Sequence, residues 1–346
     1  MAKKKTVTTS DIYNANKQII KDFGDVVRTG NELFKDIQDR KLLPISPSID
    51  YAIGGGIQEG SLVQLAGKPK SGKTTTAIQF AANCQKPENG SRPIIYFDIE
   101  ARVGENQLDG IEGLDREKIH FIIPRDGVLA AEDDFRIMEH YIKNVKNCVV
   151  IIDSVSTMAS RDELDYKFDK QFRNPVMKMM SSFTKKIAHI LPQQRAIVVS
   201  INHIIADTNP HTRSTTMVDG GNKLKYAANY ILHITHTKPW EESNEVVGQE
   251  IHWKVVTSHS GGFPNTPVTS YLRYGMGLDW RKELIDQCCE IPPLIEKAGA
   301  WYYLNFIKKE EDERGPSFQG YKKCIDHLNE NSLWDELKTK HKEIFE

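Results

Sequence analysis

The run Gly67-Lys68-Pro69-Lys70-Ser71-Gly72-Lys73-Thr74 constrains this chain more than any other stretch. It matches G-x-x-x-x-G-K-[ST] and lies between an apolar run, Leu62 to Ala66, and a helical pattern, Thr74 to Gln85. That context predicts a strand, a phosphate loop and a helix in succession. Glycines let successive backbone N–H groups converge on phosphate at the positive end of the helix. Lys73 adds a point charge, and the Thr74 hydroxyl can ligate Mg2+. Gly67 to Thr74, with Thr75 beside them, are the expected binders of a nucleoside triphosphate, ATP or GTP.

Two further strand ends supply carboxylates. The apolar run Cys148 to Ile152 ends in Asp153, where a carboxylate beside the loop would hold the magnesium water shell. The run Ile94 to Glu100 brings Asp98 and Glu100 to the carboxyl edge of the sheet, where open α/β folds hold ligands. One of the two could polarise an attacking water. Strand-end carboxylates also cap helices and turns, so the pattern alone leaves both readings open.

Short β-rich runs at Leu62 to Ala66, Ile94 to Asp98, Ile119 to Ile123, Cys148 to Asp153 and Ala196 to Ile201 alternate with helical patterns. The helical patterns are Thr74 to Gln85, Ala130 to Lys143 and Val176 to Leu191. This alternation predicts an α/β fold, a mostly parallel twisted sheet covered on both faces. Tyr230 to Thr235 and Glu250 to Thr257 follow without an intervening helix and are expected as antiparallel additions. Near the N-terminus, Ser10 and Asp11 are expected to cap a helix whose apolar face is Ile12, Ala15, Ile19, Ile20 and Phe23. Pro44, Pro47 and Gly54-Gly55-Gly56 mark the entry to a new region, and from Trp280 the pattern turns helical and loop-like. The expected division is a small N-terminal helical arm and linker over 1–43, a core over 44–279 and a small C-terminal lobe over 280–346.

A chain of 346 residues exceeds what one compact core usually carries, and 39% hydrophobic with 27% charged residues is ordinary for a globular protein. Lys plus Arg total 46 and Asp plus Glu 47, a net charge of -1, so any nucleic-acid surface must be local. No run reaches the roughly 20 apolar residues of a membrane span, and Lys3, Lys4 and Lys5 lead into polar residues rather than a signal core. A cytoplasmic protein with no membrane partner is expected. The five cysteines lack C-x-x-C spacing and read as reduced structural thiols.

These residues together resemble the RecA strand-exchange recombinases of bacteria and their T4-type phage relatives, the UvsX proteins. The resemblance runs through Ile53-Gly54-Gly55-Gly56, the phosphate loop, Phe97-Asp98-Ile99-Glu100, Ile151-Ile152-Asp153-Ser154 and Ile201-Asn202-His203. It continues through Gly220-Gly221-Asn222-Lys223-Leu224-Lys225, Val246-Val247-Gly248 and Ile295-Glu296-Lys297-Ala298-Gly299-Ala300-Trp301-Tyr302. It implies a RecA-like P-loop ATPase core in which Lys73 binds phosphate, Thr74 and Asp153 hold Mg2+, Glu100 activates water and His203 senses the γ-phosphate.

Two loops, at about Ala159 to Asn174 and about Ile204 to Asp219, would by the same resemblance face single-stranded DNA. Arg173, Lys178, Lys185 and Arg213, with the amides of Gly220, Gly221 and Asn222, are the implied phosphate contacts. Arg161, Lys167 and Lys170 lie near the same loops. The N-terminal helix and Leu42 to Ile45 resemble the part by which each family member docks on its neighbour in a helical filament, a head-to-tail contact that does not close. What is implied is an ATP-dependent recombinase that coats single-stranded DNA and pairs it with homologous double-stranded DNA. Single-strand-binding and loader proteins are its implied partners, in the cytoplasm or, if phage-encoded, the host cytoplasm.

The chain departs from the family in several places. Thr257 and His259 stand where bacterial members place two cations that reach the neighbour's γ-phosphate. Either His259 protonates beside phosphate, a bound monovalent cation substitutes, or hydrolysis is slow. Val103 to Leu108 offers Gln107 in place of an adenine-facing aromatic, and Ile204, Ile205 or Met217 would wedge between bases where many members use an aromatic. The tail beyond Ile325 has six acids and three lysines, a poor match to an autoinhibitory acidic run. A non-hydrolysing recombinase paralogue and a RecA-like hexameric helicase are the rival readings.

Overall fold

A computed structural model of the chain describes residues 9–124, 127–165, 175–206, 216–218, 222–242, 244–262, 264–291 and 293–345. The chain divides into two units, Met1–Lys41 and Leu42–Glu346. The first holds helices α1 (Thr9–Phe23) and α2 (Gly30–Gln38). Because α1 starts at Thr9, Ser10 and Asp11 lie inside its first turn instead of capping it. The start of α2 is a reciprocal cap: Thr29 Oγ1 accepts the Glu32 N–H, and the Glu32 carboxylate takes the Thr29 N–H at 2.7 Å. No residue of α2 is buried, and Phe23 and Phe34 are 75% and 65% exposed, so the described residues of this unit form no core of their own.

The second unit opens with β1 (Leu42–Leu43), α3 (Pro47–Ile53) and β2 (Ile57–Gln58), with β1 and β2 paired antiparallel. The alternating segment follows as β3 (Leu62–Gly67), α4 (Lys73–Gln85), β4 (Ile94–Asp98), α5 (Glu105–Asp109), β5 (Ile119–Ile122) and α6 (Ala131–Asn144). It continues through β6 (Val149–Asp153), α7 (Arg161–Asp165), α8 (Pro175–Ile187), α9 (Ile190–Gln194) and β7 (Ile197–Ala206). Strands β9-β3-β7-β6-β4-β5 form the parallel part of the large sheet, where β9 spans Tyr230–Glu242. Period-2 alternation sorts each strand between two cores. Ile94, Tyr96, Val149 and Ile151 join one with Ile78 and Phe80 of α4, while Ile95, Phe97, Val150 and Ile152 join the other with Met138 of α6 and Phe183 of α8. Each fully buried side chain of this kind contributes on the order of 2 kcal/mol.

The remaining elements revise the sequence expectations. The helical pattern Val176 to Leu191 is broken into α8 and α9, with Pro192 inside the latter. Tyr230 to Thr235 is not purely an antiparallel addition: β9 pairs parallel with β3 on one side and antiparallel with β10 (Glu245–Thr257) on the other. Two antiparallel strands absent from the sequence reading, β11 (Pro267–Arg273) and β12 (Gly277–Leu278), complete that edge. The stretch after His203 also contains strand, because β7 runs through Ala206 and pairs antiparallel with β8 (Thr216–Val218). A short helix, α10 (Asn222–Ala227), leads from there into β9.

Beyond α11 (Trp280–Cys289), a three-stranded antiparallel sheet of β13 (Glu296–Ala298), β14 (Trp301–Tyr303) and β15 (Ser317–Gln319) precedes α12 (Tyr321–Glu330) and α13 (Trp334–Phe345). These elements share a third core of Leu284, Ile285, Leu294, Ile295, Leu304, Leu328 and Leu337. All five cysteines are free, and burial pushes the Cys148 thiol up to about 11 and the Cys324 thiol up to about 12. Among the described residues, no helix is long and apolar enough to cross a membrane.

Candidate active site

Strand register assembles the site. Gly67 of β3 lies opposite His203 of β7, and Asp98 of β4 lies opposite Asp153 of β6. Adjacent strands β3, β7, β6 and β4 therefore deliver the phosphate loop, His203, Asp153 and Glu100 to one carboxyl edge.

The loop itself is tightly specified. Ser71 Oγ donates to Lys68 O at 2.7 Å, and Lys70 and Gly72 take left-handed φ values of 59° and 100°. A Cβ at position 72 would also stand 2.5 Å from Ile251 Cδ1, so glycine is required there by conformation and by space. Lys73 is buried and folds its ammonium onto two carbonyls of the loop, Gly67 O at 3.0 Å and Lys68 O at 2.7 Å. Burial pushes its pKa down, and the charges of Asp153 and Glu100 offset only part of that. An ammonium held by neutral carbonyls gains from exchanging them for phosphate oxygens.

Thr74 Oγ1 donates to Asp153 Oδ2 at 2.7 Å, and the Tyr96 hydroxyl donates to the same oxygen at 2.8 Å. Burial pushes the Asp153 carboxyl above its usual range despite these two hydrogen bonds. A hydroxyl and a carboxylate side by side are hard oxygen donors of the kind Mg2+ takes, so the donor set fits that ion.

The two carboxylates at the end of β4 have separate tasks. Asp98 accepts the Arg102 N–H at 3.1 Å and the Val103 N–H at 3.2 Å, which makes it the cap of the turn. Glu100 turns into the site. Its Oε1 accepts from Ser154 Oγ at 2.6 Å and meets His203 Nε2 at 2.7 Å, while its Oε2 pairs with Arg102 at 2.9 Å. Burial alone would raise the Glu100 carboxyl; hydrogen bonds from Ser154 and His203, then the charges of His203 and Arg102, outweigh it and hold the group below the usual range. The His203 N–H donates to Ser156 Oγ at 3.0 Å, and its buried Nδ1 has no partner among the described residues. The Asp153–Ser154 peptide is cis.

The sequence assigns no role to Tyr96, Ser154, Ser156 or Arg102, although Ser154 belongs to one of the matching runs. The only signal for the serines was their place directly after Asp153, and Tyr96 shares a strand face with Asp98 by alternation. The glycine run before β2 has a local reason: a Cβ at Gly54 would stand 2.5 Å from Ser260 O. Ser258 Oγ also donates to Ile53 O at 2.6 Å, which ties the segment carrying Thr257 and the exposed His259 to the end of α3.

The nucleic-acid candidates are placed unevenly. Lys178 and Lys185 are exposed on α8, opposite its buried Val176, Met180, Phe183 and Ile187. Arg161 pairs with Asp133, and its N–H donates to the Glu132 carboxylate at 3.0 Å. Asn222 begins α10, while Lys167, Lys170, Arg173, Arg213, Gly220 and Gly221 lie outside the described residues. The side chain of Gln107 is outside them as well.

Comparison with known proteins identifies the family. The family model for the RecA N-terminal domain matches residues 10–279. Protein RecA of Malacoplasma penetrans (strain HF-2) is 27% identical over 329 residues, covering 94% of this chain and 93% of the relative. Protein RecA of Thermotoga petrophila is 27% identical over 326 residues, covering 93% of this chain and 87% of the relative, and that of Thermotoga maritima is 26% identical over the same length. The parallel sheet, the phosphate loop and a match across nearly the whole chain lead to one conclusion: this protein belongs to the RecA family and is a RecA-type recombinase of DNA recombination and repair.

Proposed function

We propose that this chain is a DNA-dependent ATPase that binds ATP and Mg2+ and forms a helical filament on single-stranded DNA. In that filament it catalyses pairing and strand exchange with homologous double-stranded DNA. The observation that carries this reading is the convergence on Glu100. Ser154 arrives from the end of β6 and His203 from β7, and both bond one carboxylate oxygen of the group that in this reading orients a water. Three residues beyond His203, β7 is still paired with β8 through Ala206 and Thr216. A short, hydrogen-bonded length of strand thus joins the hydrolytic carboxylate to the loop that would hold DNA.

In the proposed reaction the loop amides and Lys73 hold the β- and γ-phosphates, and Thr74 with Asp153 holds the metal. When bound, Mg2+ neutralises charge on the β- and γ-oxygens. Glu100 orients the attacking water, and His203 couples its carboxylate to β7. Lys178, Lys185 and the start of α10 at Asn222 contact the DNA backbone in this reading, with Arg173, Arg213, Gly220 and Gly221 beside them. The exposed apolar residues of the 1–43 arm dock on the next protomer, residues 44–279 form the catalytic core and residues 280–346 the C-terminal lobe. The protein works in the cytoplasm alongside single-strand-binding and loader proteins, and a monovalent cation serves near Thr257 and His259. Electron microscopy with single-stranded DNA and a non-hydrolysable ATP analogue is the test. Open nucleotide-dependent filaments are expected; closed rings would favour a helicase, and no assembly an accessory paralogue.

A further inference from the structure

We infer that Arg102 is a positioning residue of the hydrolytic site, a cation supplied in cis that acts through Glu100 and the terminal phosphate it faces. The inference rests on the proposed ATPase reading and adds to it a residue that the phosphate-loop motif does not contain.

The local backbone puts Arg102 there for a reason. Ala101 adopts a left-handed φ of 51°, which folds the chain back immediately after Glu100. Asp98 then fixes the turn by accepting the next two N–H groups, those of Arg102 and Val103, at 3.1 and 3.2 Å. The anchor is rigid while the side chain stays 73% exposed, so the guanidinium stands on the open lip of the site with its Nη1 2.9 Å from Glu100 Oε2. The inner side of Glu100 is already occupied, since Ser154 and His203 both bond Oε1.

In the proposed reaction Lys73 exchanges the carbonyls of Gly67 and Lys68 for phosphate oxygens from the inner side of the loop, which leaves the outer side, where Arg102 stands, for a second cation. Phosphoryl transfer spreads negative charge over the γ-oxygens, and a guanidinium is suited to it because its planar donors serve a carboxylate and a phosphate oxygen at once. Nη1 holds Glu100, and the exposed remainder of the fork is left to face the nucleotide. The guanidinium is 73% exposed, and the Glu100 side chain, 8% exposed, keeps its bonds from Ser154 and His203 when Arg102 is removed, so the substitution tests chemistry more than fold.

The test uses the full chain with Arg102→Ala and Arg102→Lys. Steady-state ATP hydrolysis with single-stranded DNA should show kcat reduced at least about tenfold in Arg102→Ala, KM for ATP within about twofold and partial recovery in Arg102→Lys. Millimolar guanidinium should restore part of the Arg102→Ala rate. A binding readout accompanies it: displacement of a fluorescent ADP by ADP with aluminium fluoride, a mimic of the transferring phosphoryl group. Arg102→Ala should lose about tenfold in affinity for the fluoride complex while binding ADP as the unaltered chain does. Unchanged kcat together with unchanged fluoride-complex affinity would overturn the inference. If the unaltered chain binds neither nucleotide, the ATPase reading itself fails, a different and separable result.

Discussion

The same strands bury charge at both of their ends, and they do it in opposite ways. Just before β3, β4, β6 and β7 begin, Arg92 and Glu59 form an ion pair that is 1% and 3% exposed. The rest of that guanidinium is committed to backbone: Nε donates to Asn89 O at 3.0 Å, and Nη1 to Asn147 O at 3.2 Å and Arg195 O at 3.0 Å. At the other end Lys73 and Asp153 are nearly as buried, at 5% and 6%. There Lys73 leans on its own loop, and His203 Nδ1 has no partner among the described residues. One end satisfies its charges within the fold, whereas the other holds the groups proposed above to bind ATP and Mg2+. Over-determined packing at the first is what allows polar groups at the second to remain under-satisfied.

The largest expected effect that would break this contrast comes from Lys73→Ala. Hydrolysis should fall about a hundredfold or more, with the melting temperature within about 2 °C of wild type, because the change removes a desolvated charge as well as a ligand contact. A parallel loss of fold and activity, seen by melting and steady-state kinetics, would erase the difference between the ends. Arg92→Met should do the reverse. Glu59, left buried with only the 3.5 Å contact to Arg195, costs about 3–5 kcal/mol in urea unfolding, while the rate per folded molecule stays within about twofold. Replacing both partners by apolar residues should recover most of that loss.

Glu283 sharpens the comparison, because it is a buried carboxylate with no ion pair among the described residues. It sits on α11 with 0% exposure, accepts the Ser48 N–H at 3.0 Å and is pushed up to about 7, chiefly by burial, with Asp50 as a like-charged neighbour. Its folded value lies above the unfolded value of 4.5, so its contribution is complete below pH 4.5 and is lost as pH rises through 7. Glu283→Gln should therefore be more stable than wild type at pH 8 by on the order of 2–3 kcal/mol, with the gap closing at pH 4 in thermal melts. The smallest effect concerns the exposed lysines. Lys178→Ala with Lys185→Ala should reduce the salt slope of single-stranded DNA binding by about 0.7 per contact and leave stability unchanged.

The phosphate-loop end is far more legible in the sequence than the other. Gly67 to Thr74 are contiguous and spacing alone marks them, whereas Asp98, Glu100 and Asp153 sit at the ends of apolar runs and need the family resemblance to be told apart from caps. The Arg92–Glu59 pair bridges 33 residues and Glu100–His203 bridges 103, and no periodicity reports a contact of that kind. Strands β13, β14 and β15 have three residues each, too few for alternation to register. The parallel pairing of β9 was missed because a strand beside a hairpin reads the same whichever neighbour lies on its far side. Nothing in the sequence marks Arg102, since an arginine in a turn is ordinary until the turn is seen to fold back on Glu100.

The position of β3 has a consequence for how the chain is made. It lies between β7 and β9, and the bonds that seat it come from Ser200, 137 residues downstream of Val63, and from Asn229, 167 residues downstream of Leu62. A ribosome that has released the nucleotide loop has therefore not yet released either of the walls that shape it. The loop is written early and built late, so nascent chains shorter than about two-thirds of the full length should be blind to nucleotide.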